Sequence, residues 1–249
     1  MLDIGTLLPG SRRERRHRVD RTVMDETGGI VRAGPFTGLR YPFSKATGSA
    51  LSPKLLGTYE VEIHAFVERA IRQRPARVIN IGAGEGYYAV GLALRLPDAE
   101  VYAFEAQQSG RDLTVKLASA NGVSHRVHVA GACGIAELRA LTADPALIVC
   151  DVEGAERELL DPSSVPGLAR CEIIAELHRI ETDDLVSEIG NRFAGTHRLG
   201  LAHYDRHSAR RAARVIWMSE GDQKVAVDER RRHGLDWVHL IPLGEVDNT

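Results

Sequence analysis

The sequence Val78-Ile-Asn-Ile-Gly82-Ala-Gly84-Glu-Gly86-Tyr-Tyr88 decides the fold. A short apolar run ends in three glycines at alternate positions, and a helical pattern follows them. Glycine allows the main chain to turn sharply and lets a ligand approach without meeting a Cβ atom. The first turn of the following helix presents N–H groups and a partial positive charge, which suit a carboxylate or a phosphate. The pattern therefore predicts a strand, a ligand-binding turn and a helix.

The spacing of the glycines narrows the choice of ligand. A dinucleotide fingerprint, G-x-G-x-x-G, would place its third glycine at position 87, where this chain has Tyr87. The G-x-x-x-x-G-K pattern of a phosphate-binding loop is also absent. Glu105 ends a second apolar run, 19 residues after Gly86, and a carboxylate there can accept hydrogen bonds from both hydroxyls of a ribose. The sequence favours a nucleoside site; the alternatives are a purely structural turn and an exposed surface glutamate.

Outward from this motif, apolar runs typical of strands alternate with helical patterns. The predicted strands are 78–81, 101–104, 127–130, 146–150 and 173–177, with late strands at 197–202, 214–218 and 237–241. Helices are predicted at 52–74, 87–96, 109–120 and 183–193, the first with Ser52 as its N-cap. This alternation indicates an α/β fold: a doubly wound, mostly parallel sheet of Rossmann-like type with helices on both faces.

The beginning of the chain is predicted to be an irregular N-terminal extension. Residues 11–18 form an arginine-rich charge run without apolar periodicity, which indicates a solvated arm or, alternatively, a lid or dimer arm. Residues 34–52 are rich in glycine, serine and proline and indicate a loop. Its Tyr41, Phe43 and Lys45 either line a pocket mouth or simply pack. We therefore divide the chain into an arm with a lid-like loop at 1–51 and a single domain at 52–249.

Composition limits the classes of function. The 249 residues are 43% hydrophobic, enough to build a sizeable core, and the net charge of -2 points neither to nucleic acid nor to a membrane surface. No apolar run reaches the roughly 20 residues needed to cross a bilayer. Without a CxxC spacing or a secretion signal, the three cysteines indicate reduced thiols, and we expect a cytoplasmic protein. They are Cys133, Cys150 and Cys171.

A second group of polar residues follows the fourth and fifth predicted strands. Asp151, Glu153 and Glu156 come after the fourth strand, and Glu176 and His178 lie at the end of the fifth. Ligands of doubly wound sheets bind beyond the carboxyl ends of strands. His178 is the first candidate for a general base, because an unperturbed histidine titrates near neutrality, and Asp151 is the second. The alternatives are a strand-end histidine satisfied by a neighbour and acids that stabilise a helix N-terminus.

Two motifs make the chain resemble a known family. The G-x-G-x-G spacing from Gly82 is similar to the first motif of class I S-adenosylmethionine-dependent methyltransferases. The segment Asp151-Val-Glu-Gly-Ala-Glu156, followed by Ala175-Glu176-Leu-His178, resembles the FkbM-like family of these enzymes. The resemblance spans about residues 77–180. It implies O-methylation of small-molecule hydroxyls, often of sugars or polyketides, with S-adenosylmethionine as the cofactor.

The motifs and the resemblance together assign the site residues. The predicted cofactor-binding residues are Asn80, Gly82, Ala83, Gly84, Gly86, Glu105, Ala106, Ala132 and Asp151, and the predicted catalytic residues are His178, Asp151 and Glu176. Asn80 departs from the family, which usually has an acid two residues before the first glycine. Asparagine can form hydrogen bonds but offers no full negative charge to the cofactor's ammonium group. This position favours an alternative function, a catalytically inactive methyltransferase-fold protein with a binding or regulatory role.

Other functions are weighed against methyl transfer. A nicotinamide-dependent oxidoreductase would share the fold, but Tyr87 argues against it. The balanced charge argues against a methyltransferase for nucleic acid. The expected partner is therefore a small-molecule acceptor, with no nucleic acid and no membrane. The sequence leaves the oligomeric state open, and a homodimer is one option, since dimers are the commonest closed assembly.

A divalent metal is a further alternative, although no metal site is favoured. Oxygen-rich sites hold Mg²⁺, and a metal bound beside the fourth and fifth strands could orient a diol. The candidate ligands are Asp151, Glu176 and His178. A second set of ligand types lies further along the chain, at His203, Asp205 and His207.

Overall fold

A seven-stranded sheet forms the centre of the protein. The computed structural model describes residues 12–44, 49–178, 184–204, 208–209, 217–229, 231 and 236–244. The strand order is β3-β2-β1-β4-β5-β7-β6. Neighbouring strands pair in parallel from β3 to β5, whereas β7 is antiparallel to both β5 and β6. The strands are β1 (Arg77–Ile81), β2 (Glu100–Phe104), β3 (Val127–Ala130), β4 (Leu147–Cys150), β5 (Glu172–Leu177), β6 (His197–His203) and β7 (Asp236–Pro242).

Helices cover both faces of this sheet. They are α1 (Arg12–Thr27), α2 (Leu51–Leu56), α3 (His64–Arg72), α4 (Tyr87–Arg95), α5 (Gln108–Ala120), α6 (Ile135–Leu141), α7 (Glu156–Leu159), α8 (Leu185–Phe193) and α9 (Glu220–Ala226), with 3₁₀ turns at Val61–Ile63 and Pro166–Arg170. The predicted α/β fold, a doubly wound and mostly parallel sheet with helices on both faces, is confirmed. No helix within the described ranges is long and apolar enough to span a membrane.

The core has two parts, one on each face of the sheet. One part contains apolar residues of α1 to α5, including Val23, Leu92 and Leu117. The other contains residues of α6 and α8, including Leu138 and Phe193. Every residue of β4 and β5 is buried, because helices cover these central strands on both sides.

The arginine-rich N-terminal run is helical from residue 12, which corrects the expectation of an irregular, solvated arm. Val19 and Val23 of α1 are buried, and they belong to the same core as α2 to α5. Arg16 is buried as well and donates to both the carbonyl and the carboxylate of Asp228. The run of arginines before Val19, and Arg21 between the two valines, hide the helical period in the sequence. The division of the chain at residue 51 stays a prediction.

The sequence predicts one continuous helix at 52–74, and this prediction is wrong because the structure has two helices there. It is broken at Gly57, whose φ of +72° ends α2, and a Cβ atom there would lie 2.0 Å from the carbonyl oxygen of Ala33. The helix resumes as α3 after a 3₁₀ turn. Ser52 is not an N-cap, since its hydroxyl donates to Asp20. The close approach of Gly57 to Ala33, which is distant in sequence, therefore breaks the helix that the local apolar period predicts.

The remaining strands and helices follow the prediction within a few residues, apart from one strand. Of the strand predicted at 214–218, residues 214–216 lie outside the described residues, and Trp217 and Met218 lie in a turn and a bend. Helices α6 and α9 are additions that the apolar pattern did not indicate, because both are short. The three cysteines are free thiols, and Cys150 and Cys171 are buried.

Candidate functional site

Gly82 lets β1 leave the sheet beside the end of β4. Its φ is +80°, and a Cβ atom would lie 1.6 Å from the carbonyl oxygen of Asp151. The N–H groups of Gly82 and Ala83 both donate to the carbonyl of Phe104 at 2.9 Å. Glycine is therefore required at position 82 for both conformation and space. The turn is fixed between the ends of β2 and β4.

The last two glycines of the motif pack the turn against α5. Gly86 precedes α4 with a φ of +95°, and an added Cβ would lie 2.9 Å from a methyl carbon of Thr114. The Thr114 hydroxyl donates to the carbonyl of Gly84 at 3.1 Å. Helices α4 and α5 therefore hold the motif in place from both sides.

Glu105 lies directly against the glycine turn, as its position at the end of β2 predicts. One carboxylate oxygen accepts from the N–H of Gly84 at 2.8 Å and the other from the N–H of Gln107 at 2.7 Å. Gly110 of α5 leaves room for this side chain, because a Cβ there would lie 2.7 Å from the Cγ of Glu105. A carboxylate has about four acceptor positions, so capacity remains for the hydroxyls of a ribose.

Asn80 is buried beneath the turn. Its Nδ2 donates to the carbonyl of Val149 at 3.2 Å, while its Oδ1 has no hydrogen-bond partner among the described residues. A buried acceptor without a donor is costly. Two more predicted cofactor residues, Ala106 and Ala132, are exposed and follow β2 and β3. The predicted cofactor residues therefore lie at the carboxyl ends of four adjacent strands.

Asp151, Glu176 and His178 come together beyond β4 and β5. The backbone N–H of Asp151 donates to the carbonyl of Ile81 at 2.9 Å, which ties this residue to β1. His178 Nε2 lies 3.7 Å from an oxygen of Asp151 and 3.6 Å from Oε2 of Glu176. One candidate ligand atom from each of the three residues falls within 4.8 Å of the others.

Glu156 fixes the orientation of His178. Its carboxylate is fully buried and lies 2.7 Å from the Nδ1 of His178. It also accepts from the N–H of Val152 at 3.3 Å. Glu153 is 88% exposed and lies 3.7 Å from the Nε2 of His178. Glu156 therefore does more than stabilise the N-terminus of α7, the alternative that the sequence left open.

The carboxylates around His178 determine its charge. Burial alone lowers the pKa of His178, but the hydrogen bond to Glu156 and the charges of Glu156, Asp151 and Glu153 outweigh it, so the pKa lies above its ordinary value. Burial raises the pKa of Asp151; the charge of His178 opposes this rise and that of Glu153 adds to it.

A buried charged network behind Glu176 is not evident from the sequence. Arg231 pairs with Glu176 and lies 2.5 Å from Glu62 and 3.8 Å from Glu229. Burial, with the charges of Glu60 and Glu62, raises the pKa of Glu229 to about 9. The only sequence signal is the polar run before β7, which has no motif spacing.

A second pair that the sequence did not indicate joins the glycine motif to α2. Lys54 pairs with Glu85, and both side chains are almost fully buried. Tyr41 is buried and packs edge-on against Phe43, so this part of the loop packs and does not form an open mouth. Lys45 lies outside the described residues, and so do Asp205 and His207 of the second candidate metal set.

Comparisons with known proteins identify the fold. No family model matches the chain, and no curated protein sequence matches it. The human methyltransferase 10 domain containing protein is similar over 91% of this chain and 98% of its own, with 13% identity and a TM-score of 0.50. This likeness shows that the chain has the class I methyltransferase fold.

Two further solved structures have lower TM-scores. One is a precorrin-6y C5,15-methyltransferase from Geobacter metallireducens, which matches over 70% of this chain and 87% of its own, with 13% identity and a TM-score of 0.48. The other is an rRNA methylase from Streptococcus thermophilus, which matches over 73% of this chain and 96% of its own, with 13% identity and a TM-score of 0.48.

Proposed function

We propose that this protein is an S-adenosylmethionine-dependent methyltransferase of the FkbM-like type, which methylates a hydroxyl group of a small molecule. One observation carries the proposal. The glycine turn and the Glu105 carboxylate meet at the ends of β1 and β2, and the cluster of Asp151, Glu176 and His178 lies next to them beyond β4 and β5. A nucleoside site and a reactive site are thus adjacent on one edge of the sheet.

The residues at the turn fit the cofactor. Gly82 and Gly86 keep the main chain free of Cβ atoms where it bends, and Glu105 offers acceptor positions for ribose hydroxyls. The buried Oδ1 of Asn80 lacks a donor among the described residues, and an ammonium group could supply one. Asn80, Gly82, Ala83, Gly84, Gly86, Glu105, Ala106, Ala132 and Asp151 would hold the cofactor.

The chemistry needs alignment more than it needs a base. When bound, S-adenosylmethionine supplies a methyl group that its sulfonium makes electrophilic. Correct placement of two reactants can contribute about 7–11 kcal/mol, and a general base adds about 10²–10⁴-fold. Asp151, Glu176 and His178 would bind and orient the acceptor hydroxyl and favour the loss of its proton. Glu156 would hold His178 in position for that role.

Mass spectrometry of the purified protein tests the proposal. We expect S-adenosylmethionine or S-adenosylhomocysteine to co-purify, and calorimetry to show binding of both. Incubation with a panel of polyhydroxylated small molecules should give a product heavier by one methylene group. Absence of heat and of any thermal shift at millimolar cofactor would overturn the proposal.

Asn80 supports a second candidate function: a methyltransferase-fold protein that binds the nucleoside but does not catalyse methyl transfer. The position lacks the carboxylate that would pair with the cofactor's ammonium group. Binding of the nucleoside without methylation of any acceptor in the panel would favour this candidate. Replacement by the acid, Asn80→Asp, should then strengthen cofactor binding and produce no turnover.

A further inference from the structure

The cluster beyond β4 and β5 has the composition and spacing of a metal site. Asp151, Glu176 and His178 each offer one ligand atom within 4.8 Å of the others, and Nε2 of His178 faces both Oδ1 of Asp151 and Oε2 of Glu176. Two of the three separations are 3.6 and 3.7 Å, both measured from the imidazole nitrogen. Two ligands at about 2.0–2.2 Å from one ion lie roughly 3–4 Å apart, so only small shifts would bring these atoms onto a common ion.

The second ring nitrogen of His178 is held as in metal-binding histidines. Nδ1 lies 2.7 Å from the fully buried carboxylate of Glu156, which favours a proton on Nδ1 and a lone pair on Nε2. Metal-ligating histidines almost always donate their other N–H group in this way. The imidazole is therefore oriented with its free nitrogen toward Asp151 and Glu176.

Glu176 supplies an independent observation. Its side chain is only 5% exposed, and its other oxygen pairs with Arg231. No hydrogen bond from the described part of the chain reaches Oε2, which faces His178 at 3.6 Å, beyond hydrogen-bond distance. The charge of a side chain this deeply buried has to be balanced, by Arg231 at Oε1 and by a cation or a proton at Oε2. It is aimed at the same point as the imidazole.

The negative charge of the carboxylates around His178 also favours a bound cation. Asp151, Glu153, Glu156 and Glu176 all place a carboxylate oxygen within 3.7 Å of the His178 ring, and of these Glu176 is paired with Arg231. Grouped carboxylates repel one another in a partly buried site. Oxygen ligands with one imidazole suit Mg²⁺ or Mn²⁺ better than soft metals.

We propose that Asp151, Glu176 and His178 hold one divalent cation, Mg²⁺ or Mn²⁺, which binds an acceptor with two neighbouring oxygen atoms. This inference rests on the proposed function and refines it. The three side chains act on the acceptor hydroxyl through the cation, and His178 is a ligand instead of the proton acceptor. The cation would lower the pKa of the bound hydroxyl, whose proton would pass to water. We therefore expect the acceptor to be a molecule with adjacent hydroxyl groups. When both of its hydroxyl oxygens bind one ion, the reacting hydroxyl is fixed in place.

Titration of Mn²⁺ into the full-length protein tests the site without requiring an acceptor. The protein is first treated with EDTA and desalted, and free Mn²⁺ is followed by electron paramagnetic resonance. We expect one Mn²⁺ per chain, competed by Mg²⁺. Glu176→Gln and Asp151→Asn, which keep the side-chain shape, should each weaken binding at least about tenfold, in line with the loss of one ligand.

Two exposed positions provide matched controls. Glu158→Gln and His125→Ala remove the same groups from exposed sites outside the cluster, and their Mn²⁺ affinity should be unchanged. Circular dichroism checks that each variant is folded. The site is wrong if the folded wild-type protein binds no Mn²⁺, or if the ligand variants bind it as tightly as the controls.

The outcome for the metal can be separated from the outcome for the function. Calorimetry with S-adenosylmethionine is carried out on the same EDTA-treated protein. Cofactor binding without Mn²⁺ binding would overturn the metal site and leave the proposed methyltransferase intact. Mn²⁺ binding without cofactor binding would overturn the proposed function, and with it the acceptor class, but not the ion site.

Discussion

The Nδ1 atom of His178 lies 2.7 Å from a carboxylate oxygen of Glu156, although the two residues are 22 positions apart. Glu156 is fully buried at the start of α7, and His178 follows β5. Their contact turns the other ring nitrogen toward Asp151 and Glu176. The orientation of His178 in the candidate site therefore depends on a residue that is distant in sequence.

Replacement of His178 by alanine should slow methyl transfer and spare cofactor binding. His178 follows β5 and Glu105 follows β2, and strands β1 and β4 lie between β2 and β5 in the sheet. We expect turnover to fall by about 10²–10⁴-fold, the range for loss of a group that activates the acceptor. Steady-state kinetics and calorimetry measure the two effects, with His125→Ala as the control. A variant with full activity would remove His178 from the site.

The variant Glu156→Gln tests whether Glu156 positions His178. The amide keeps the shape but loses the negative charge beside Nδ1, so we expect kcat to fall by about 10–100-fold, as for other partners that orient a reactive histidine. The KM for S-adenosylmethionine should not change. Glu158→Gln, which lies on the same helix but is exposed, should behave as wild type. An equal effect of both variants on KM would indicate a general structural role.

Glu105→Ala should weaken cofactor binding strongly. The carboxylate is fixed by the N–H groups of Gly84 and Gln107, and its remaining acceptor positions are the ones proposed to bind the ribose. Each hydrogen bond to a charged group contributes about 1.5–3 kcal/mol, so the affinity should fall by about 10–100-fold or more. The control is Glu100→Ala at the exposed, opposite end of β2. Unchanged affinity in folded Glu105→Ala means that the ribose assignment is wrong.

Gly82→Ala should destabilise the fold more than the same substitution at another glycine with a similar φ angle. The new Cβ atom would lie 1.6 Å from the carbonyl oxygen of Asp151, so the backbone must shift. Gly122→Ala is the matched control, since its φ of +71° is similar and no atom lies within 4 Å of the added Cβ. We expect Gly122→Ala to cost about 1 kcal/mol and Gly82→Ala about 1–3 kcal/mol more, measured by urea unfolding. Equal costs would contradict the close approach of β1 and β4.

The buried Glu229 predicts a loss of stability as the pH rises. Burial and the charges of Glu60 and Glu62 raise its pKa to about 9 in the folded protein, from an ordinary value of 4.5. The folded state therefore holds a proton that the unfolded chain releases, and the free energy of unfolding falls as the pH increases between these values. Glu229→Gln, which remains neutral, should show a smaller decrease of Tm between pH 6 and pH 9 than wild type does.

An exposed glutamate controls for the removal of charge in this experiment. Glu158→Gln should follow the wild-type dependence of Tm on pH, because the side chain of Glu158 is exposed to solvent and lies outside the buried network around Glu229. A Glu229→Gln variant with the same dependence as wild type would show that Glu229 is ionised in the folded protein.

The sequence by itself determined most of the strands and several of the helices, and the order in which they occur. The run from Val78 to Tyr88 specifies strand, turn and helix, because apolar periodicity and glycine act through neighbouring residues. Alternating strands and helices then favour a parallel sheet, whose carboxyl ends bring Glu105, Asp151 and His178 to one edge. These parts of the site could be predicted without any knowledge of packing.

Only the tertiary structure decided which side chains meet. The pairing of His178 with Glu156, the contact of Arg231 with Glu176, and the break at Gly57 all depend on segments distant in sequence. The same is true of α1, whose helical period is hidden by arginines and becomes evident only when Val19 and Val23 are seen packed in the core. Local patterns encode backbone conformation, whereas the partner of a buried charge is set by how helices and strands pack, because only packing removes the water that would otherwise solvate it.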